Sequence, residues 1–390
     1  MTDSFFLLIK WKRMLKLAAS LGGSNMVKLN EMRDYVNQKQ LDVAYISNFE
    51  DIKYFTGFGS DPVERVLALF IFPDAEPFLF APELEVEAIK ESGWKYPVYG
   101  YLDHEDPFKL IAKHIRDVNP DPKRFGIEDD NLVISRYQQL QAEFPKADFK
   151  TNVAPKVSEL RVIKTPYEIE QLDAAGKEAD FAFKVGFETA KAGKTEAEVA
   201  AEIEYQEKIR GVMNMSFDTL VQTGPHAAEP HGATDMNQIK NDNLLLFDLG
   251  TVHNGYISDA SRTVAVGDKI PAKQKEIYDV VLEAQLAAQS AAKPGIRAEE
   301  LDAIARNIID KAGYGKYFIH RLGHGMGMSE HEFPSIMEGN QMVLKEGMCF
   351  SIEPGIYIPG VAGVRIEDCI HLTKDGNEPF THTSKELRYV

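Results

Sequence analysis

The stretch Asp248-Leu249-Gly250-Thr251-Val252-His253-Asn254-Gly255-Tyr256-Ile257-Ser258-Asp259 decides how this sequence is read. An apolar run, Leu244 to Phe247, ends in the carboxylate of Asp248. Asn254-Gly255 then supplies the strongest short signal for a two-residue hairpin turn. With those two residues at the turn, period-two alternation puts Asp248 and Asp259 on one face, diagonally across the ladder. Two like charges that close, on strands this apolar, repel each other and lose their water. A cation between them removes both costs, so the hairpin reads as the first half of a metal site.

The second half lies further along. His324 sits in Gly323-His324-Gly325-Met326-Gly327, Glu353 closes the run Met348 to Ile352 ahead of Pro354-Gly355, and Glu367 follows Val364-Arg365-Ile366. Taken singly, each has an ordinary explanation: an Asp after a strand is commonly a turn residue, a His between glycines a loop residue, a Glu before Pro-Gly a strand end. Five unpaired polar side chains in apolar, strand-like segments are harder to explain that way. Four carboxylates and one imidazole exceed the needs of one cation and suggest two that share oxygens. Oxygen-dominated ligation with one nitrogen favours Mn²⁺, with Co²⁺ or Zn²⁺ as alternatives. Two such ions about 3.5–4 Å apart can hold a hydroxide and polarise a carbonyl, which is hydrolytic chemistry on an amide or ester.

On these residues the chain resembles the pita-bread metallopeptidases, and within them the Xaa-Pro dipeptidases (prolidases) of lactic acid bacteria. The matching segments are Ser216-Phe217, Gly224-Pro225, Pro230-His231-Gly232, Asp248-Leu249-Gly250, Gly255-Tyr256, Ser258-Asp259 and Ser261-Arg262-Thr263. They continue through Gly323-His324-Gly325, His331-Glu332, Glu353-Pro354-Gly355-Ile356-Tyr357 and Gly363-Val364-Arg365-Ile366-Glu367-Asp368. The resemblance implies an α/β (α+β) chain. A C-terminal pita-bread domain, residues 158–390, has a curved, mostly antiparallel sheet covered by helices, and a smaller N-terminal α/β domain spans residues 26–157. It implies hydrolysis of the peptide bond before proline in Xaa-Pro dipeptides by a hydroxide bridging two divalent metals. Asp248 binds one ion, Asp259 and Glu367 bridge both, and His324 and Glu353 bind the other. Glu353 also shuttles the proton to the leaving prolyl nitrogen. His231 and His331 hydrogen-bond the scissile carbonyl and the oxyanion, a task that suits an imidazole donor. Arg365, two residues before Glu367, is expected on the same strand face, holding a ligand carboxylate in place.

One position departs from the archaeal pattern. There an Arg follows the His-Glu pair closely and can grip the substrate carboxylate; here Ser335 stands instead. The loop Gly59-Ser60-Asp61-Pro62-Val63-Glu64-Arg65 is the expected replacement, reaching a partner subunit's site with Arg65 as the carboxylate contact. A solvated turn is the equally simple reading of that loop. An aminopeptidase P acting on longer Xaa-Pro peptides shares every ligand and stays open as an alternative, as does a catalytically silent peptide-binding module of the same fold.

Composition fits an enzyme of this kind. The 390 residues carry 44 basic and 60 acidic side chains, a net charge of −16, which argues against nucleic acid as a partner. No run approaches the ~18 apolar residues of a membrane span. Cys349 and Cys369 are too few for a disulfide framework and read as reduced, buried thiols of a cytoplasmic protein. The expected partner is a small peptide substrate, with a homodimer implied by the resemblance. Residues 1–25, with Phe5-Phe6-Leu7-Leu8-Ile9 ahead of Lys10, Lys12, Arg13 and Lys16, have the wrong order for a secretory signal and read as a leader outside the fold.

The local pattern predicts a helix over Leu29 to Gln40 and strands at Val43–Ile46, Ala68–Phe72 and Pro77–Phe80. A break follows near Lys150 to Ser158. Thr165-Pro166-Tyr167-Glu168 carries an N-cap, a proline at the first helical position and a capping-box glutamate, and predicts a long helix. Ile277, Val281, Ala284 and Ala288 line one helical face; Leu301, Ile304, Ala305, Ile308 and Ala312 line another.

Overall fold

The computed structural model describes residues 25–390. The leader expectation therefore falls, but for Asn25, outside the described residues. Contacts divide the chain into two compact units, one ending at Leu160 and one running Arg161–Val390.

The first unit begins with a helix over 25–38 and builds a six-stranded mixed sheet. Its strands are β1 (Val43–Ile46), β2 (Ala68–Ile71), β3 (Phe78–Pro82), β4 (Val98–Tyr101), β5 (Arg124–Ile127) and β6 (Asp148–Asn152), in the order β4-β3-β2-β1-β5-β6. β1 to β3 are buried throughout, as strands covered on both faces must be. The predicted break near Lys150 to Ser158 is corrected: Lys150 belongs to β6 and Ala154–Val162 is a helix. The exposed Asp148 and Lys150 of β6 thin its apolar pattern to Phe149, which is why an edge strand reads as a loop.

The second unit repeats one plan. The helices Pro166–Thr189 and Glu196–Arg210 are followed by the sheet β11-β8-β7, made of β7 (Leu220–Thr223), β8 (Asn243–Leu249) and β11 (Ala260–Val266). β9 (Val252–His253) and β10 (Tyr256–Ile257) extend the hairpin between β8 and β11. The helices Ala272–Ala291 and Ala298–Lys311 are followed by the five strands β13-β12-β14-β17-β18: β12 (Gly323–Gly325), β13 (Glu332–Ile336), β14 (Cys349–Ile352), β17 (Asp368–Leu372) and β18 (Asn377–Pro379). A separate hairpin, β15 (Gly355–Ile358) with β16 (Ala362–Arg365), joins β14 to β17. Every strand pair in this unit is antiparallel.

Local chemistry sets these elements. Thr165 caps the first long helix with a full capping box, its side chain accepting from Glu168 N while Glu168 reaches back to Thr165 N. Thr195 and Glu198 repeat the device in the next helix. Ile277, Val281, Ala284 and Ala288 are all buried, as the spacing predicts. In the last long helix Leu301, Ala305 and Ile309 form the buried stripe, with Ile304 and Ile308 partly buried beside it. Ala312 is exposed, because the helix has ended at Lys311.

Each helix pair covers one face of its strands. Leu245, Phe247 and Leu249 of β8 pack with Phe183 and Ile203 of the first pair. Phe350 and Ile352 of β14 and Ile370 of β17 pack with Ile277, Val281 and Leu301 of the second. Alternation then turns Asp248 to the uncovered face of β8, and Ser351 to the uncovered face of β14. No described helix is long and apolar enough to cross a membrane.

Candidate metal centre

Asn254 and Gly255 both have positive φ, 50° and 84°, the pair of values that a type I′ turn requires. His253 pairs with Tyr256, Val252 with Ile257, Leu249 with Ala260 and Asp248 with Ser261. One register therefore runs from the turn to the ends of β8 and β11, and Asp259 falls diagonal to Asp248. Gly250 lies inside this ladder, where a Cβ would come within 1.8 Å of Ser258 O; no larger residue fits.

His324 lies in β12 and is buried, rather than in the loop that its flanking glycines suggest. Gly323 permits this, since a Cβ there would stand 1.9 Å from Ser351 O on the neighbouring strand. Glu353 follows β14 directly, and Ser351 Oγ donates to it at 2.9 Å. Glu367 stands between β16 and β17, where Ser261 Oγ donates to its Oε2 at 2.7 Å. The expectation that Arg365 and Glu367 share a strand face is thus corrected: β16 ends at Arg365, and the chain crosses to another sheet before Asp368. Arg365 still reaches the site. It donates to Asp248 Oδ2, to Ser261 Oγ at 2.8 Å and to Tyr357 Oη at 2.8 Å.

These groups converge. Ligand atoms of Asp259, His324 and Glu367 lie within 4.8 Å of one another. His324 Nε2 is 3.5 Å from Asp259 Oδ2 and 3.2 Å from Glu353 Oε1. Its Nδ1 is 3.1 Å from Gly325 O, a contact that fixes the ring with Nε2 toward the carboxylates. Asp248 Oδ1 and Glu367 Oε1 are buried with no hydrogen-bond partner. Orphaned acceptors of this kind cost free energy unless something positive meets them. Four carboxylates and an imidazole, with two buried oxygens unsatisfied, fit divalent cations.

The electrostatics carry the same strain. Burial, and after it the charge of Asp248, holds the Asp259 carboxyl well above the usual range. Burial does the same to Glu367, reinforced by Asp259, Glu353 and Asp248. Burial pushes His324 down, but the hydrogen bond and charge of Glu353 and the charge of Asp259 outweigh it and raise the imidazole to about 9. Burial likewise pushes Glu353 up and is outweighed by His324, His320 and Arg365, which leave it at about 2.

The centre forms one wall of a cavity of about 740 Å³, the size of a small-molecule site. His231 and His331 line the same cavity. Burial and the positive charges of His324 and Arg321 hold His331 at about 4, so it is neutral near pH 7 and has one N–H to donate. Its ring meets that of His324 edge-on at 4.2 Å between centroids.

The family models agree with this geometry. Residues 170–374 match the model of metallopeptidase family M24, and residues 28–163 match the creatinase/prolidase N-terminal domain. The chain belongs to metallopeptidase family M24. The Xaa-Pro dipeptidase of Lactobacillus helveticus is 55% identical over 365 residues, 93% of this chain and 99% of that protein. The crystal structure of recombinant prolidase from Thermococcus sibiricus superimposes with a TM-score of 0.87 at 35% identity, covering 93% of this chain and 98% of that one. The prolidase from Pyrococcus horikoshii OT3 does so with a TM-score of 0.86 at 38% identity, over 92% and 99%. The fold is the mixed α/β pita-bread arrangement that the sequence predicts.

Two side chains beside the centre, Glu332 and Arg321, escape sequence reasoning. Glu332 is buried between Arg161 Nη2 at 2.6 Å and Lys164 Nζ at 2.9 Å, and accepts from Met328 N and Ser329 N. Burial pushes its carboxyl up, but Arg161 and Lys164 outweigh that and hold it at about 2. It anchors the loop that presents Glu330 and His331. The position beside His331 is visible in the sequence; its two cations, some 170 residues earlier, are not. Arg321 lines the cavity and donates to Ser335 Oγ at 3.0 Å. Arg65, in the first unit, is held by Asp103 through two hydrogen bonds of 2.8 and 3.0 Å and touched by Glu64 at 3.0 Å.

Proposed function

We propose that this protein hydrolyses the peptide bond before proline in Xaa-Pro dipeptides, using two divalent cations, Mn²⁺ foremost, held by Asp248, Asp259, His324, Glu353 and Glu367. The observation that carries this reading is the convergence of those five groups, two of them with orphaned oxygens, on one wall of a cavity of small-molecule size. The relatedness to an Xaa-Pro dipeptidase over 93% of the chain supports the substrate class. When bound, such cations acidify water and polarise the scissile carbonyl.

The protein's own groups supply the rest. Arg365 holds Asp248 by charge, and Ser261 and Ser351 orient Glu367 and Glu353. Glu353, ionised, takes a proton from the attacking water and passes it to the prolyl nitrogen. His231 and neutral His331 donate hydrogen bonds toward the carbonyl oxygen as negative charge develops there. Arg321, whose hydrogen bond to Ser335 leaves further N–H groups toward the cavity, receives the substrate carboxylate. Arg65 is the second candidate for that task, acting in a homodimer, and must first give up Asp103. The two buried thiols, Cys349 and Cys369, suit a reducing, cytoplasmic setting.

The test is hydrolysis of leucyl-proline after chelation and stepwise re-addition of Mn²⁺, Co²⁺ or Zn²⁺, run beside leucyl-prolyl-alanine. The reading expects activity to return with metal and to favour the dipeptide. A preference for the tripeptide assigns aminopeptidase P chemistry instead, and no activity with any metal refutes both.

A further inference from the structure

The charges around the cavity sort into those already engaged and those left over. Asp248, Asp259, Glu353 and Glu367 form the candidate ligand set, and Arg365 is spent on Asp248. Among the other lining residues, Glu204, Asp218 and Glu330 are acids, and Arg321 is the cation bonded to Ser335.

Glu330 is the acid best placed to meet a substrate. It sits on the loop that Glu332 anchors, one residue from His331. Its ion contact among the described residues is His331 Nε2, 3.8 Å from Oε1. No Lys or Arg lies within ion-pair distance of it among the described residues; the imidazoles of His324 and His231 are its positive surroundings, and Asp248 and Glu353 its negative ones. The helix Glu196–Arg210 presents Ala197 and Ala200 to the same cavity, small side chains that leave room for an extended stem. An acid of this kind attracts a cation and repels an anion, while the alkyl stem of a lysine packs on the apolar part of the wall.

On the reading given above, we propose that Glu330 is a specificity-determining residue that makes the enzyme favour dipeptides whose first residue carries a positive side chain. The substrate class is then a lysyl- or arginyl-proline, with an aspartyl- or glutamyl-proline the poorest. Glu330 contacts the side chain and takes no part in the bond-breaking step.

Lysyl-proline and norleucyl-proline differ by the ammonium group and little in stem length, so the ratio of their kcat/KM isolates the charge. The metal-loaded enzyme is expected to favour lysyl-proline by about fivefold at low salt, the yield of a partly exposed ion pair. The preference shrinks as ionic strength rises. In Glu330→Gln the ratio falls to about one, and in Glu330→Lys it inverts while glutamyl-proline gains on glutaminyl-proline. A wild-type ratio of one or below overturns the proposal whether or not the variants fold. So does a ratio preserved in Glu330→Gln, which would move the role to Glu204 or Asp218. If Glu330 instead gripped the amino terminus, both substrates would suffer alike and the ratio would hold, which also overturns it. Failure to cleave any Xaa-Pro dipeptide, norleucyl-proline included, would fault the underlying reading and not the role of Glu330.

Discussion

Consider the enzyme stripped of metal and carried from pH 6 to pH 9. His324 in the fold titrates at about 9, against an ordinary imidazole value of about 6.5. A group whose folded value is raised adds stability that is complete below the unfolded value and vanishes as pH climbs through the folded one. The window is therefore about 6.5 to 9. Each pH unit between the two values is worth about 1.36 kcal/mol, so the loss across the window is on the order of 3 kcal/mol. Asp259 and Glu367, also raised, push in the same direction. For a unit the size of Arg161–Val390, 3 kcal/mol corresponds to roughly 6–12 °C of melting temperature. Differential scanning calorimetry of the chelated protein should show that fall between pH 6.5 and 9. The metal-loaded protein should not show it, because a bound cation replaces the proton. His324→Gln removes the titrating group and should flatten the chelated curve toward the loaded one. Chelated and loaded proteins with parallel profiles across this window would refute the reasoning, since the five groups would then not share one electrostatic site.

Glu332→Gln leaves Arg161 and Lys164 under-compensated at a buried position and should destabilise the protein by about 3–5 kcal/mol by denaturant titration. It should also lower kcat, through disorder of His331. Arg365→Met removes the charge that holds Asp248 and should weaken Mn²⁺ binding by about 10–100-fold in isothermal titration. Arg321→Met should raise the KM for a dipeptide with a smaller change in kcat; an unchanged KM would return the carboxylate contact to Arg65. His331→Ala should lower kcat by about 10²–10³-fold with the metal content intact, measured on the same sample by atomic absorption.

What is legible in the sequence is what local rules determine. Asn254-Gly255 specifies its turn whatever surrounds it, so the pairing of Asp248 with Asp259 follows from counting residues. Thr165 and Glu168 announce a helix start for the same reason. The repeated helix-pair-and-sheet plan of the second unit escapes such reading because its two halves share element order rather than residues. The hidden parts of the site are long-range. Arg161 and Lys164 meet Glu332 only because the fold returns the chain there, and Ser351 acquires its role from the close approach that Gly323 allows. Glu367 reads as part of the strand that carries Arg365 because two short strands with a two-residue link look like one.

The unbroken register from β8 through the turn to β11 acts as a ruler. Substitutions along it alter strength, but the interval from Asp248 to Asp259 tolerates little change in length. Adding or deleting one residue would reverse the facing of everything beyond it and send the second carboxylate into the packed interior under the helices. A pair of residues inserted at the tip would only lengthen the arm. Away from Asp248, Gly250, the Asn254-Gly255 turn and Asp259, descendants of this gene should therefore drift in composition along this segment more readily than in length, unless insertions arrive in twos.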